Sequence, residues 1–133
     1  MRVNHGFGAE LGEVESPLTV YRRYLEQDQL AHQFDLAADT PVFFPRVMAP
    51  RTGAVDLEWR VGSGRGVVYS VTVISPKGGD PYNVALVDVD EGYRMMSRID
   101  DLASEDVSIG MRVRFKTFRP GEGGAPYPVF VPE

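Results

Sequence analysis

Residues 67–74 read VVYSVTVI, and this stretch decides the fold. Val, Thr and Ile fill six of its eight positions, a composition that favours a strand over a helix. Four further strands are predicted at 84–90, 93–99, 111–118 and 127–131, and Glu91-Gly92 forms a tight turn between the second and the third. Ser104 begins a single helical turn between the third and the fourth. This order predicts a five-stranded Greek-key barrel of the OB type, and therefore a mainly β protein.

The chain before the barrel divides into three parts. Residues 1–15 hold three Gly and three Glu without periodicity and are expected to form a flexible lead-in. Residues 16–29 predict an amphipathic helix, with Ser16 as its N-cap and Pro17 in its first turn. Residues 30–60 fit neither a helix nor the barrel. They are predicted to form a compact knuckle with a short strand at 30–34. The barrel then takes residues 61–133.

Composition narrows the class of protein. The chain has 133 residues, enough for one domain, and a net charge of −5. It contains no cysteine, which excludes disulfides, thiolate nucleophiles and cysteine-ligated zinc. No apolar run approaches the ~20 residues that span a bilayer, and the first residues lack the apolar stretch of a signal peptide. We therefore expect a cytoplasmic protein without membrane contact.

Several short motifs occur in a characteristic order. They are FFPR at 43–46, SGRGVVYS at 63–70, PYNVALV at 81–87, IGMRV at 109–113 and PVF at 128–130. In this order they resemble the DUF35 family, whose members join a rubredoxin-like zinc ribbon to an OB-fold barrel. The resemblance covers roughly residues 17–132, and it implies the same architecture here.

The resemblance also locates the positions of the family's zinc ligands. The ribbon of the family has the form C-x-x-C-G-x-x-x-F-P-P-R-x-x-C-P-x-C-G, and its F-P-P-R falls on residues 43–46. The four ligand positions are then occupied by Asp35, Ala38, Ala49 and Thr52. A structural zinc site needs four Cys or His ligands, so the resemblance implies a degenerate ribbon. No zinc or other resident cofactor is expected.

Family members are generally non-catalytic companions of thiolase-like enzymes or hydratases that act on acyl-CoA. The resemblance therefore implies an accessory subunit that binds such an enzyme. The candidates for partner binding are Tyr21 and Tyr24 on the helix, and Phe43 and Phe44 in the ribbon remnant. A small esterase or hydratase in its own right is the least favoured hypothesis, since no acid–base or nucleophile partner is evident for either histidine.

Basic residues suggest a ligand for the barrel surface. Strand alternation puts Arg112, Arg114 and Lys116 on one face, where they could contact the phosphates of coenzyme A or a nucleic acid. A single-stranded nucleic-acid-binding OB module is the alternative function, although the acidic surplus weighs against it. This face could also be an ordinary solvated surface. Separately, the chain could form a homo-oligomer. The candidate ligand contacts are Arg46, Arg65, Arg112, Arg114 and Lys116.

Overall fold

The computed structural model describes residues 16–46, 53 and 57–133; the predicted lead-in, 1–15, lies outside them. The predicted fold class is confirmed, with one helix, a small three-stranded sheet and a curled five-stranded OB sheet. The elements are α1 (Pro17–Glu26), β1 (Ala31–Asp35), β2 (Thr40–Val42), β3 (Glu58–Val61), β4 (Arg65–Ile74), β5 (Tyr82–Val89), β6 (Tyr93–Ser97), a 3-10 turn (Ser104–Asp106), β7 (Arg112–Phe118) and β8 (Tyr127–Pro132).

Helix α1 is capped at both ends by side chains. The Ser16 hydroxyl accepts a hydrogen bond from the Thr19 N–H, as expected of an N-cap. At the other end, Thr117 and Arg119 donate to the carbonyls of Leu25 and Glu26, in the last turn of the helix. These bonds fix the helix to β7. Within the described ranges, no helix has the length and apolar character needed to cross a membrane.

The small sheet has the order β2-β1-β3, with both pairings antiparallel. The sequence predicted a strand near β1 but neither β2 nor β3. Trp59 of β3 is buried in the same core as the barrel strands and lies 5.7 Å from the ring of Tyr24. The helix, the small sheet and the OB sheet therefore share one hydrophobic core.

The OB sheet has the order β6-β5-β4-β7-β8, and its five strands match the predicted ones within a few residues. A Cβ on Gly66 would lie 2.6 Å from the carbonyl oxygen of Asp88, so only glycine allows β4 to approach β5 there. A register shift between Val68 and Ser70 bends β4. The glycine at position 66 is therefore a structural requirement of the first barrel strand.

The curled sheet closes through one residue of β8. The N–H of Phe130 donates to the Arg98 carbonyl, and the Phe130 carbonyl accepts from Asp100, in parallel pairing. Continuing this pairing toward the start of both strands would require residue 128 to donate an N–H to the Met96 carbonyl. Residue 128 is proline and has no N–H. Among the described residues, the seam between β6 and β8 is therefore open beside Met96.

Asn83 fastens the chain that follows β6. Its amide donates to the Ile99 carbonyl and accepts from the Ile99 N–H, at 2.9 and 2.8 Å, and both residues are buried. Asn83 also bonds to Ser104 in the 3-10 turn. One side chain thus satisfies two buried main-chain groups next to the barrel closure.

We predict that Asn83→Ala lowers the free energy of unfolding by about 2–4 kcal/mol, because it leaves the Ile99 N–H and carbonyl buried without partners. The change is measured by urea unfolding. Thr72→Ala, an exposed change on β4, is the matched control and should cost less than about 1 kcal/mol. Equal losses in the two variants would contradict the role assigned to Asn83.

Candidate functional site

An apolar groove of about 280 Å³ lies where the open seam meets α1 and the end of β2. Phe44 and Met96 stand on it with about two-thirds of their surfaces exposed, 66% and 67%. Arg98, the one charged residue among its described lining, is held by Asp100 in two hydrogen bonds of 2.6 and 2.9 Å. The described lining consists of Leu18, Tyr21, Phe43, Phe44, Pro45, Met95, Met96, Ser97, Arg98, Tyr127 and Pro128.

Buried Gln33 positions the segment that carries Phe44. Its side-chain amide donates to the Arg46 carbonyl at 2.7 Å and accepts from the Arg46 N–H at 2.6 Å. The chain leaving β2 is therefore tied back to β1 just after Pro45. This double contact holds the two phenylalanines beside the barrel seam.

An aromatic stack forms the wall of the groove. The Phe43 ring lies 5.8 Å from Tyr21 of α1, 4.9 Å from Tyr93 of β6 and 5.0 Å from Phe44. Tyr21 and Tyr93 are buried, whereas Phe43 is half-buried and Phe44 is exposed. The stack connects the interior to the surface, and aromatic contacts of this kind add to simple area burial.

The structure brings three of the four predicted partner-binding residues together. Tyr21, Phe43 and Phe44 line the groove. Tyr21 does so as a buried wall residue, because α1 turns it toward the core. Tyr24 does not line the groove and packs instead on Trp59. Phe44 is thus the predicted residue most accessible to a partner.

Four buried polar atoms have no hydrogen-bond partners among the described residues. They are the hydroxyl oxygens of Tyr21 and Tyr93, His32 Nδ1 and Glu91 Oε1. The His32 and Tyr93 rings are 5.1 Å apart. Burial raises the pKa of both tyrosines, and neighbouring Tyr21 and Glu91 add to the rise at Tyr93. Buried polar groups of this kind reduce stability unless they are satisfied.

Burial also lowers the pKa of His32 below its ordinary value. Glu91, from the β5–β6 turn, opposes this shift, and Arg60, the cross-strand neighbour on β3, adds to it. His32 is only 4% exposed, so the neutral imidazole is the form that the fold accommodates. This position makes His32 a core residue.

The basic residues of the barrel are brought together but largely paired. Arg65 lies opposite Arg114 on β7, and Arg112 and Lys116 share that face. Glu133 bonds to Arg65 and Arg112, Asp90 binds Arg112 through two hydrogen bonds, and Asp101 lies 3.8 Å from Lys116. The hydrogen bond from Arg112 lowers the pKa of Asp90. Arg46 lies apart, after β2. The CoA and nucleic-acid contacts stay predictions.

The former ligand positions do not fit a metal. The carboxylate of Asp35 is buried and accepts hydrogen bonds from the N–H groups of Ala37 and Ala38, at 3.0 and 3.3 Å. Ala38 offers no donor atom, and Ala49 and Thr52 lie outside the described residues. Among the residues that are described, no three His, Cys, Asp or Glu side chains cluster as metal ligands. The zinc-free state stays a prediction.

Several groove residues were missed by the sequence interpretation, namely Leu18, Met95, Met96, Tyr127 and Pro128. Two of them carried a usable signal. Met96 follows Met95, and strict alternation along β6 must turn one of the two away from the core. Leu18 lies in the first turn of an amphipathic helix and is half-exposed. Their convergence with Phe44 depends on the tertiary fold.

Comparison with known proteins agrees with this architecture. Residues 59–119 match the family model described as "ChsH2, C-terminal OB-fold domain". A DUF35 domain-containing scaffold protein of Methanocaldococcus jannaschii is 40% identical over 55 residues. That match spans 39% of this chain and 39% of the relative, so the chain matches about two-fifths of the relative's length.

Solved structures extend the agreement to most of the chain. A chain of an "Ltp2-ChsH2(DUF35) aldolase" superimposes with a TM-score of 0.75 at 28% identity, covering 90% of this chain and 96% of that one. A DUF35 protein of unknown function from Sulfolobus solfataricus superimposes with a TM-score of 0.59 at 12% identity, over 73% of this chain and 75% of that one. The second likeness shows the fold alone.

The helix, the small sheet and the barrel define an OB-fold protein with an N-terminal module packed into the barrel core. The matched barrel segment and the superposition over nine-tenths of the chain agree with the motifs in the sequence. In its motifs, its barrel segment and its fold, the chain is similar to proteins of the DUF35 family.

We predict that stability falls as the pH is lowered below the ordinary pKa of histidine, about 6.5. Because the folded chain lowers the pKa of His32, the unfolded chain binds a proton in this range that the folded chain does not. The His32 contribution is therefore complete above that pH and is lost progressively below it. Melting temperatures measured from about pH 7.5 to about pH 5.5 should fall by a few degrees.

His32→Phe keeps a ring of similar shape and should flatten this pH dependence. His5→Gln, which changes the other histidine of the sequence, is the matched control and should leave the slope as it is. An unchanged slope in His32→Phe would assign the pH dependence to another group.

Proposed function

We propose that this chain is a non-catalytic accessory subunit that docks onto an acyl-CoA-processing enzyme of the thiolase-like or hydratase kind. The observation that carries the proposal is the apolar groove at the barrel seam, where Phe44 and Met96 remain exposed beside a rigid aromatic wall. Exposed apolar patches with such neighbours are typical of protein interfaces.

The comparisons support an accessory role. The curated relative is named a scaffold protein, and the more similar of the two solved chains is part of an assembly named with a second protein and the word aldolase. The aldolase name is that of the assembly. Arg98, the charged residue of the described groove lining, is occupied by Asp100, which suits docking better than acid–base chemistry.

Direct contact with coenzyme A is a finer part of the proposal and has less geometric support. A phosphate would have to compete with Asp90 and Glu133 for Arg65 and Arg112. The same competition weakens the nucleic-acid alternative, since binding depends on positive charge available to phosphates. Thermal melting with added CoA or a single-stranded oligonucleotide distinguishes these ligands from each other and from no ligand.

We predict that the tagged chain, purified gently from its native host, carries an acyl-CoA-processing enzyme in equal amount, identified by mass spectrometry. Phe44→Asp should weaken the purified complex at least about tenfold, because it places a charge in the apolar groove. Ile109→Asp, which changes an apolar residue of similar exposure (70%) outside the described groove lining, is the matched control and should leave affinity unchanged.

Two results would contradict the proposal. Recovery of the chain alone, or with bound nucleic acid, would remove the accessory role. Equal losses of affinity in Phe44→Asp and Ile109→Asp would show that the groove is not the docking face.

A further inference from the structure

Resting on the proposed function, we propose that the partner enzyme supplies an extended segment that pairs with the free edge of β6 at Met96 and places an apolar side chain in the groove. The site is thus a main-chain docking edge together with a pocket for a side chain. It requires the same partner as the accessory role but specifies how that partner is held.

On the edge of β6, main-chain groups lack a hydrogen-bond partner among the described residues. The Arg98 carbonyl points toward β8. Met96 lies two residues earlier in the chain, so its main-chain N–H and carbonyl point the same way. Pro128 has no N–H to offer them, and its carbonyl accepts instead from the Ser97 hydroxyl at 3.1 Å. No described residue outside the β5–β6 ladder hydrogen-bonds to the main chain of Met96. An added strand would find a donor and an acceptor there.

The usual protection of a strand edge is weak at this position. Charged side chains commonly keep exposed edges from pairing. On β6 that charge belongs to Arg94, but its guanidinium lies 3.4 Å from the centre of the Tyr69 ring and bonds to Asp88 at 2.6 and 3.2 Å. The arginine is therefore held on the face of the sheet.

The groove indicates what the added segment carries. It adjoins the same edge and is walled by aromatic and methionine side chains, and its size suits one or two large apolar side chains. Methionine adapts its shape to different apolar groups. A strand that pairs at Met96 would direct alternate side chains toward Phe44 and Tyr127, which is the arrangement found where peptides add to a sheet.

The edge at Met96 distinguishes an extended polypeptide from two other occupants of the groove, an acyl chain and a helix. An acyl chain could fill the groove but would leave the main-chain groups of Met96 without protein partners. A helix would also leave them unpaired, because its own N–H and carbonyl groups are used internally. An extended polypeptide satisfies both the edge and the groove.

The test compares Met96→Pro with Met96→Val in the full chain, using the enzyme that co-purifies with it. Both changes leave a small apolar side chain, but only proline removes the N–H at the edge. Because that N–H faces away from β5, proline is tolerated there as on other edge strands. Met96→Pro should bind the enzyme at least about tenfold more weakly than Met96→Val, while circular dichroism and melting confirm that both are folded.

Hydrogen exchange of the unmodified chain gives a second measurement that does not depend on the folding of a variant. The amides of residues 94–98 should exchange more slowly in the complex than in the free chain. Equal affinities for the two variants, together with unchanged exchange at 94–98 in a complex that forms, would overturn the edge pairing and leave the accessory role standing.

Two further outcomes are decisive. If no acyl-CoA-processing enzyme binds the unmodified chain, the proposed function fails and the edge pairing fails with it. If sedimentation shows that the isolated chain dimerises and that Met96→Pro abolishes the dimer, the edge belongs to a second copy of this chain, which overturns the proposal.

Discussion

The two main-chain hydrogen bonds of Phe130 hold the ends of the OB sheet together. Phe130 is fully buried, so these bonds form inside the core that the barrel shares with α1 and the small sheet. Pro128 stops the same pairing two residues earlier because it cannot donate. In the part of the chain that the structure describes, the barrel is therefore closed at one end of the seam and open at the other. The groove and the free strand edge both follow from that single interruption.

The open end of the seam is kept apolar by the N-terminal module. Phe43 meets Tyr21 of the helix edge to face and stacks on Tyr93 of β6, so the module and the barrel meet through aromatic rings. The hydroxyls of Tyr21 and Tyr93 are buried and have no hydrogen-bond partner among the described residues. Packing of the rings joins the module and the barrel in one core. The position of the groove is thus tied to folding of the whole chain.

Local patterns in the sequence predicted the helix and the five barrel strands, because capping, alternation and turn chemistry act between near neighbours. They missed β3, whose four residues form a strand by pairing with β1. They also did not predict the ion pair of Arg65, since its partner Glu133 lies 68 positions away in the sequence. The candidate site was predicted in part: Phe43 and Phe44 were named, but Met96 joins them only through the tertiary fold.

Hydrogen bonds and packing together hold the chain around β1 and β2 in place. Asp35 closes the turn after β1 by accepting from two N–H groups, and Gln33 ties β1 to the chain at Arg46. Contacts of this kind contribute about 1 kcal/mol each. The remaining order comes from packing, through Val42 and the aromatic stack. Hence the rings that complete the core also position Phe44, and the docking surface depends directly on how that core is packed.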